Sequence, residues 1–399
     1  MPQYQSQGKL PQKRYTKLYR PGEEATKGSF YFEYIVTAEG FAAEASIQYR
    51  LRAPARVLRT DVLPARGVKL REDMADSYNL MFEVDRVKSD GDFLQSRREM
   101  LCSDNTAFSV AKPNKPMSGF YRNSMADEVV LIVQGSGTLE SSFGNIPYGE
   151  LDVVYVPRGD TVRWRCDARP HIMVIFESVN PITVPQEYLK PNGQFREHAP
   201  YHERDIRMPV LQPAIDQMGE FPVEVKLGAK RICTVLDHHP FDVVGWDGYY
   251  YPWALNLKDY EPLSGRISLL PDRYALFATS RTLITLISPR RMPDHPDAMP
   301  MQPHHQNLEY DEILYRFSGS TGATEPQPGS FTLHPRGLDH GPKPGFEKLP
   351  TRTYQDAWGF MVDTRDRLIP TEAAMGVSDD SYGRMYVTDQ SAAAAKRGA

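Results

Sequence analysis

Three side chains in the C-terminal part of this 399-residue chain have the types and spacing of a metal centre. The first segment runs His305-Gln306-Asn307-Leu308-Glu309-Tyr310-Asp311-Glu312, with six residues between Glu312 and Gly319. The second runs from Gly329 through five residues to Pro335-Arg336-Gly337, then two residues to His340. His305, Glu312 and His340 together offer two imidazoles and one carboxylate. That set, with coordination positions left open, is the one used by non-haem Fe(II) oxygenases. The predicted chemistry is therefore that of a mononuclear iron enzyme acting on oxygen. A lone histidine is usually a hydrogen-bonded surface or core residue. Here three ligand types fall inside two spaced motifs that also carry the glycines and proline of tight turns.

Strands must deliver these groups. Val129-Val130-Leu131-Ile132-Val133, Val153-Val154-Tyr155-Val156 and Ile172-Met173-Val174-Ile175-Phe176 are short, β-branched or aromatic, and bounded by Gly, Pro or Asp. Long helical periodicity is scarce, so the expected fold is mostly β. On a strand, alternate side chains share a face, which puts His305 and Asn307 on the same side. Glu312 opens the run Ile313-Leu314-Tyr315-Arg316-Phe317, and Gly329 and Gly337 permit the turns that bring His340 opposite.

The chain also repeats itself. Asp127-Glu128, six residues, Gly135 mirrors Asp311-Glu312, six residues, Gly319, and Pro157-Arg158-Gly159 mirrors Pro335-Arg336-Gly337, at offsets of 184 and 178 residues. Two barrels of one fold explain this. In the first copy Tyr121 stands where the second has His305, followed by Asn123 and Glu128, and Val162 matches His340. One carboxylate without imidazoles holds a catalytic metal poorly, so the first barrel is predicted to be structural and metal-free.

Composition bounds the rest. Apolar content is 40%, charged content 25% and net charge −4, an ordinary globular balance with no electrostatic reason to bind nucleic acid or membrane. Cys102, Cys166 and Cys233 lie far apart without a CxxC, which argues against a disulfide framework or structural zinc and fits a cytoplasmic location. No apolar run approaches the roughly 20 residues of a membrane span. The basic N-terminus (Lys9, Lys13, Arg14, Lys17, Arg20) reads as a solvated arm free to pack on a neighbouring subunit, and the tail Ser391–Ala399 as loose.

The two metal segments resemble the motifs of the cupin superfamily, with Asn307 where the first motif usually has its second histidine. The same departure occurs in the homogentisate 1,2-dioxygenase family, and the likeness extends further. It includes Phe241-Asp242-Val243-Val244-Gly245-Trp246-Asp247-Gly248-Tyr249-Tyr250-Tyr251-Pro252-Trp253, Tyr260-Glu261-Pro262 and Gly265-Arg266-Ile267. Asp294-His295-Pro296, Ser330-Phe331-Thr332-Leu333-His334-Pro335, His340-Gly341-Pro342 and Gln134-Gly135-Ser136-Gly137 also fit. The likeness, to the microbial branch, covers roughly residues 100–375 and is specific. It implies a bicupin of two double-stranded β-helix (jelly-roll) barrels forming a homo-oligomer. Fe(II) would sit in the C-terminal barrel on His305, Glu312 and His340, and the chemistry would be oxidative opening of a hydroquinone-type ring. His334 matches a histidine near the family's substrate site. One run departs: where microbial members carry two histidines, Ser268-Leu269-Leu270-Pro271-Asp272-Arg273-Tyr274-Ala275-Leu276-Phe277 has Ser268 and Tyr274. Substrate choice or proton handling is expected to differ there, while iron and oxygen chemistry are untouched.

The expected layout is an N-terminal arm with supporting strands (1–100), a metal-free barrel (101–180), a crossover (181–235), the metal barrel (236–375) and a tail (376–399). The crossover is expected to be ordered, because its prolines alternate with Tyr188, Phe195 and Tyr201. The partners are a small aromatic substrate and O2. His334, His304 and His295 are candidate bases, with a turn-anchoring role favoured for His295 and a rim role for His304. Tyr274 offers a hydrogen bond to substrate, and Asn307 one at the iron or its water. Asp311 and Asp339, beside ligands, read as exposed turn carboxylates. The cluster Trp246, Tyr249, Tyr250, Tyr251, Trp253 either frames an aromatic ligand or packs a core. The adjacent pair His238-His239 diverges on a strand and reads as structural. Two other readings keep the fold: an iron oxygenase of a different aromatic or amino-acid-derived substrate, and a metal-binding bicupin that is not an oxygenase.

Overall fold

The short β-branched runs are strands, and they pair as a duplicated set. The computed structural model describes residues 3–42, 44–167, 170–299, 303–319, 327–342, 352–379 and 381–384. It is mostly β, with helices of at most four residues among the described residues. No helix among them is long and apolar enough to cross a membrane.

Two units interleave in sequence. The first is built from Met1–Val68, Ser89–Arg98 and Ala107–Glu261, the second from Lys69–Lys88, Glu99–Thr106 and Pro262–Ala399. Residues 181–261, apportioned by sequence to a crossover and the start of the second barrel, thus fall in the first unit. Their long hairpin Met218–Leu227/Lys230–His238 joins its sheet through Phe120–Asn123. The stretch from Pro181 to Pro213 is ordered by its aromatics: Tyr201 packs against Phe195 with ring centroids 5.4 Å apart and against Tyr188 at 6.2 Å.

In the first unit, Asp127–Gln134 runs antiparallel between Asp152–Val156 and Ile172–Ser178. A second layer pairs Gly137–Ser141 with Gly144–Tyr148 and Val162–Cys166. The inward residues of both layers, Val130, Ile132, Leu139, Ile146, Trp164 and Ile175, are fully buried together. Period-two alternation puts such residues on one face, and their removal from water drives the layers together. Trp246, Tyr250, Tyr251 and Trp253 belong to this unit's packing: Trp246 donates to the Phe143 carbonyl and Trp253 stacks on Tyr155. Core packing is therefore the role of these four, while Tyr249 is exposed.

In the second unit Asp311–Ser318 lies between Ser330–His334 and Trp358–Thr364. Leu80–Glu83 adds to the far side of Ser330–His334, so part of the predicted N-terminal support belongs to this unit. The register reproduces the first unit. Glu128 pairs with Val156 and Glu177, and Glu312 pairs with His334 and Asp363. Gly319 closes the central strand at φ +69°, where a Cβ would lie 2.1 Å from the Asp356 carbonyl oxygen.

The N-terminal arm is not free. Gln5–Gly8 pairs antiparallel with Val243–Gly248, and Arg14 lies 3.0 Å from Asp247. Its backbone groups find partners within their own unit, which outweighs the solvation of its basic side chains. The tail Ser391–Ala399 lies outside the described residues.

Candidate metal centre

His305 and His340 face each other across an antiparallel bridge, each backbone N–H donating to the other's carbonyl at 2.9 Å. Gly337, at φ +76°, turns the chain into this bridge, and its N–H donates to the Asn307 carbonyl at 2.7 Å. Glu312 enters from the adjacent strand. The ligand atoms of His305, Glu312 and His340 all lie within 4.8 Å of one another.

The imidazole tautomers follow from their outer partners. His305 Nδ1 sits 3.0 Å from the Pro303 carbonyl and His340 Nδ1 3.0 Å from the Leu338 carbonyl. A carbonyl only accepts, so each Nδ1 carries the proton and each Nε2 presents a lone pair in the neutral ring. Those two lone pairs point at the same Glu312 Oε2, from 3.5 and 3.3 Å. Three electron-rich atoms converge on one point, which only a cation relieves: a shared proton or a metal ion. Backbone carbonyls on the remote nitrogens are also the usual outer partners of metal-bound histidines. On this donor set the residues fit a divalent ion such as Fe(II), with His305, Glu312 and His340 to hold it.

Glu312 is buried and heavily constrained. Asn307 Nδ2 donates to Oε2 at 3.2 Å and His334 Nδ1 to Oε1 at 2.9 Å. Burial alone would raise its pKa, but the hydrogen bonds from His305, His334 and His340 hold it well below the usual carboxylate range. Burial pulls the His334 imidazole below its ordinary value, against the pull of Glu312, so it is neutral at pH 7. With its Nδ1 proton on Glu312, His334 Nε2 accepts from the Tyr382 hydroxyl at 2.9 Å. Its ring also stacks on His340, centroids 4.2 Å apart and planes at 18°. Both nitrogens of the favoured base candidate are therefore engaged, and His334 positions the carboxylate.

Two residues of the site were not singled out from sequence. Asp363 is the cross-strand partner of Glu312, and its Oδ1 is buried without a hydrogen-bond partner. Burial, then the Glu312 charge, push its carboxyl up to about 7. The repeat held the signal, because Glu177 occupies the same register position beside Glu128. Tyr382 carried no signal. It lies in the predicted tail, which is anchored as far as this point: Ser378 bridges Phe82, and Asp379 N–H donates to the Met81 carbonyl at 2.9 Å.

The remaining candidates separate from the cluster. Tyr274 is buried with the Arg290 guanidinium 4.2 Å from its ring centroid, and none of its described contacts is with His305, Glu312 or His340. Ser268 Oγ donates to the Met299 carbonyl. His304 is tied to the Pro342 carbonyl at 2.8 Å, and His295 Nδ1 accepts from Asp297 N–H, as a turn anchor does. His239 sits among Phe120, Phe221 and Phe241, where burial and then Arg163 pull its imidazole down to about 4. Asp339 is exposed, but Asp311 is not: it is fully buried and holds three donors. The exposed-turn reading of Asp311 is corrected accordingly. A strand start that must receive the Arg336 side chain faces inward.

A pH dependence follows. The Glu312 hydrogen bond raises the His305 pKa, against burial. Without metal, that protonated pair stabilises the fold fully below the ordinary histidine value of about 6.5 and loses this as pH rises through the raised value. The depressed Glu312 pKa acts oppositely, its stabilisation vanishing as pH falls below about 4.5. A metal ion must displace the His305 proton. Metal affinity is thus expected to fall as pH drops through the raised His305 value, beginning above pH 6.5, in titrations with Fe(II) or a Zn(II) probe. Affinity flat from pH 8 to 5.5 would contradict this.

Residues 91–257 match the family model described as homogentisate 1,2-dioxygenase N-terminal. A Saccharolobus solfataricus protein with a provisional dioxygenase description is 30% identical over 390 residues, covering 96% of this chain and 99% of that one. Homogentisate 1,2-dioxygenase of Rhodopseudomonas palustris is 27% identical over 287 residues, 66% of this chain and 61% of its own length. The Rhizobium etli enzyme of that name is 26% identical over 323 residues, 73% and 69% of the two chains. Among solved structures, a cupin 2 conserved barrel domain protein from Leptotrichia buccalis aligns over 74% of this chain and 99% of its own, at 7% identity and a TM-score of 0.35. That score is too low to carry an argument, and the fold rests on the strand pairing itself.

Proposed function

The chain belongs to the homogentisate 1,2-dioxygenase family as a divergent member, and from that premise we propose that it is an Fe(II)-dependent dioxygenase opening a phenol- or hydroquinone-type ring with O2. The observation that carries the reading is the convergence of the His305 and His340 Nε2 lone pairs on Glu312 Oε2. Iron bound there would supply adjacent open sites for a ring oxygen and O2, and a path for electrons between them.

The chain's own residues supply the setting. The Pro303 and Leu338 carbonyls aim the imidazoles, and His334 and Asn307 fix the carboxylate. With His334 engaged on both sides, Asp363 Oδ1, beside Glu312 and without a hydrogen-bond partner, is the group among the described residues that we assign to accept a phenol proton. An effective base lies near neutrality, where burial places Asp363, and a cation beside Glu312 would draw it towards the ionised form. Asp363→Asn is expected to lower kcat/KM for a phenol by about 100-fold or more while iron content per chain stays at the native level. An unchanged pH–rate profile in that variant would remove Asp363 from this role.

The sequence departure at Ser268 and Tyr274, where two histidines are expected, is what favours a substrate other than homogentisate. The test is anaerobic Fe(II) loading followed by O2 uptake with a panel of hydroquinones and phenols. The expected product is heavier by both oxygen atoms, with loss of ring absorbance. Full iron loading with no uptake on any phenol would overturn ring cleavage.

A further inference from the structure

The duplication that places Glu312 also places Glu128, and the two positions differ in what neutralises them. Asp127 accepts from Arg158 N–H and Nε and from Ile182 N–H, as Asp311 does from Arg336 and Leu368. Gly159 N–H donates to the Asn123 carbonyl at 2.7 Å, matching Gly337 and Asn307. Val162 pairs with Tyr121 as His340 pairs with His305. Glu177 faces Glu128 as Asp363 faces Glu312.

Each unit thus brings two acidic side chains side by side in its interior, where an unpaired charge is strongly unfavourable. In the first unit the compensating charge is internal. The Arg97 side chain, 1% exposed, donates from Nη1 to Glu128 Oε1 at 2.9 Å and holds Nη2 3.1 Å from Glu177. The Tyr121 hydroxyl and Asn123 amide donate to the same Glu128 oxygen at 2.7 and 3.1 Å. Lys226 binds Glu177 at 2.6 Å. Glu128 Oε2 is buried with no hydrogen-bond partner, an unused acceptor in a fully enclosed side chain.

We propose that this is a second cation site built on the plan of the C-terminal centre, filled in the native chain by the Arg97 guanidinium and able to take a divalent metal ion once Arg97 is withdrawn. The oxygens there are the Glu128 carboxylate, with Oε2 unpartnered, the Tyr121 phenol, and the Glu177 carboxylate, whose two oxygens Lys226 Nζ also holds at 2.9 and 2.6 Å. A hard ion such as Mn2+ or Mg2+ suits them better than a thiophilic one. The proposal stands on the first unit's own contacts and does not need iron at the other centre.

The test is equilibrium dialysis of full-length protein against Mn2+, counting ions per chain in native protein, Arg97→Ala and Arg97→Gln. Each is also measured with Glu312→Ala added to silence the C-terminal centre. The expected result is one more ion per chain in each Arg97 variant than in its parent, with or without Glu312, and loss of that ion when Glu128→Gln is added. Mn2+ should also raise the thermal midpoint of the Arg97 variants that carry Glu312→Ala and leave the Glu312→Ala parent unmoved. Arg97 variants that fold and bind no extra ion overturn the proposal, as do variants that stay unfolded when refolded with Mn2+. Native protein that binds no Mn2+ while the Arg97 variants bind one would count against the C-terminal centre alone.

Discussion

Glu312→Ala is expected to empty the C-terminal centre, with Fe(II) affinity falling by far more than the 10–100-fold that outer-shell changes cost, and O2 uptake falling to background. Two effects add. The ion loses its only anionic ligand among the three, and the groups that Glu312 orients lose their anchor. His334 Nδ1–H and Asn307 Nδ2–H, now bonded to Glu312 at 2.9 and 3.2 Å, would be left without that acceptor, at about 1–3 kcal/mol for each that stays buried and unpaired. Glu312→Gln separates the two effects, since it keeps the volume and one carbonyl acceptor but loses the charge. It should retain more stability than the alanine variant and still fail to hold iron. Iron content by metal analysis and urea midpoints measured without metal check both parts. An alanine variant with native iron content would rule out Glu312 as a ligand.

Asp311→Ala is expected to cost about 3–5 kcal/mol of stability, enough to unfold a marginal protein, although Asp311 touches no ligand atom directly. Its Oδ1 accepts from Arg336 N–H at 3.1 Å and Nε at 2.9 Å, and its Oδ2 from Leu368 N–H at 2.8 Å. It thereby pins the turn before His340 to the strand that carries Glu312. The Asp311 side chain is 1% exposed and Arg336 32%, so water replaces part of what the arginine loses and none of what the Leu368 amide loses. The same carboxylate–arginine device at Asp127 and Arg158 makes Asp127→Ala the internal control, with a comparable loss confined to the first unit. Denaturant midpoints of the two variants check this, and a shift below about 1 kcal/mol in Asp311→Ala would contradict it.

What sequence disclosed here was whatever strand periodicity and repetition encode. Val129–Val133 and Ile313–Phe317 alternate or run apolar as buried strands do, and the two Asp-Glu pairs mark the same position in both copies. His305, Glu312 and His340 meet because the motif glycines set the turns that sequence spacing implied. Asp363 was legible in principle, since Phe176-Glu177-Ser178 mirrors Val362-Asp363-Thr364, but an acidic residue inside an apolar strand has no meaning until register places it opposite another. Arg97 and Tyr382 were not legible. Each reaches its partner from a segment outside the repeated strands, and only tertiary packing puts a cation or a hydroxyl there. The basic arm keeps Lys9, Lys13 and Lys17 exposed as read, while its backbone pairs at a sheet edge; Asp311 was misjudged. Charge alone suggests exposure, whereas a buried carboxylate with three donors is stable inside.

Crystals of protein loaded anaerobically with Fe(II), measured at the iron absorption edge, test the central claim most directly. The prediction is one anomalous peak per chain in the C-terminal unit, bonded by Nε2 of His305, Nε2 of His340 and a Glu312 carboxylate oxygen. A peak bonded by other side chains, or none at full iron supply, would contradict it.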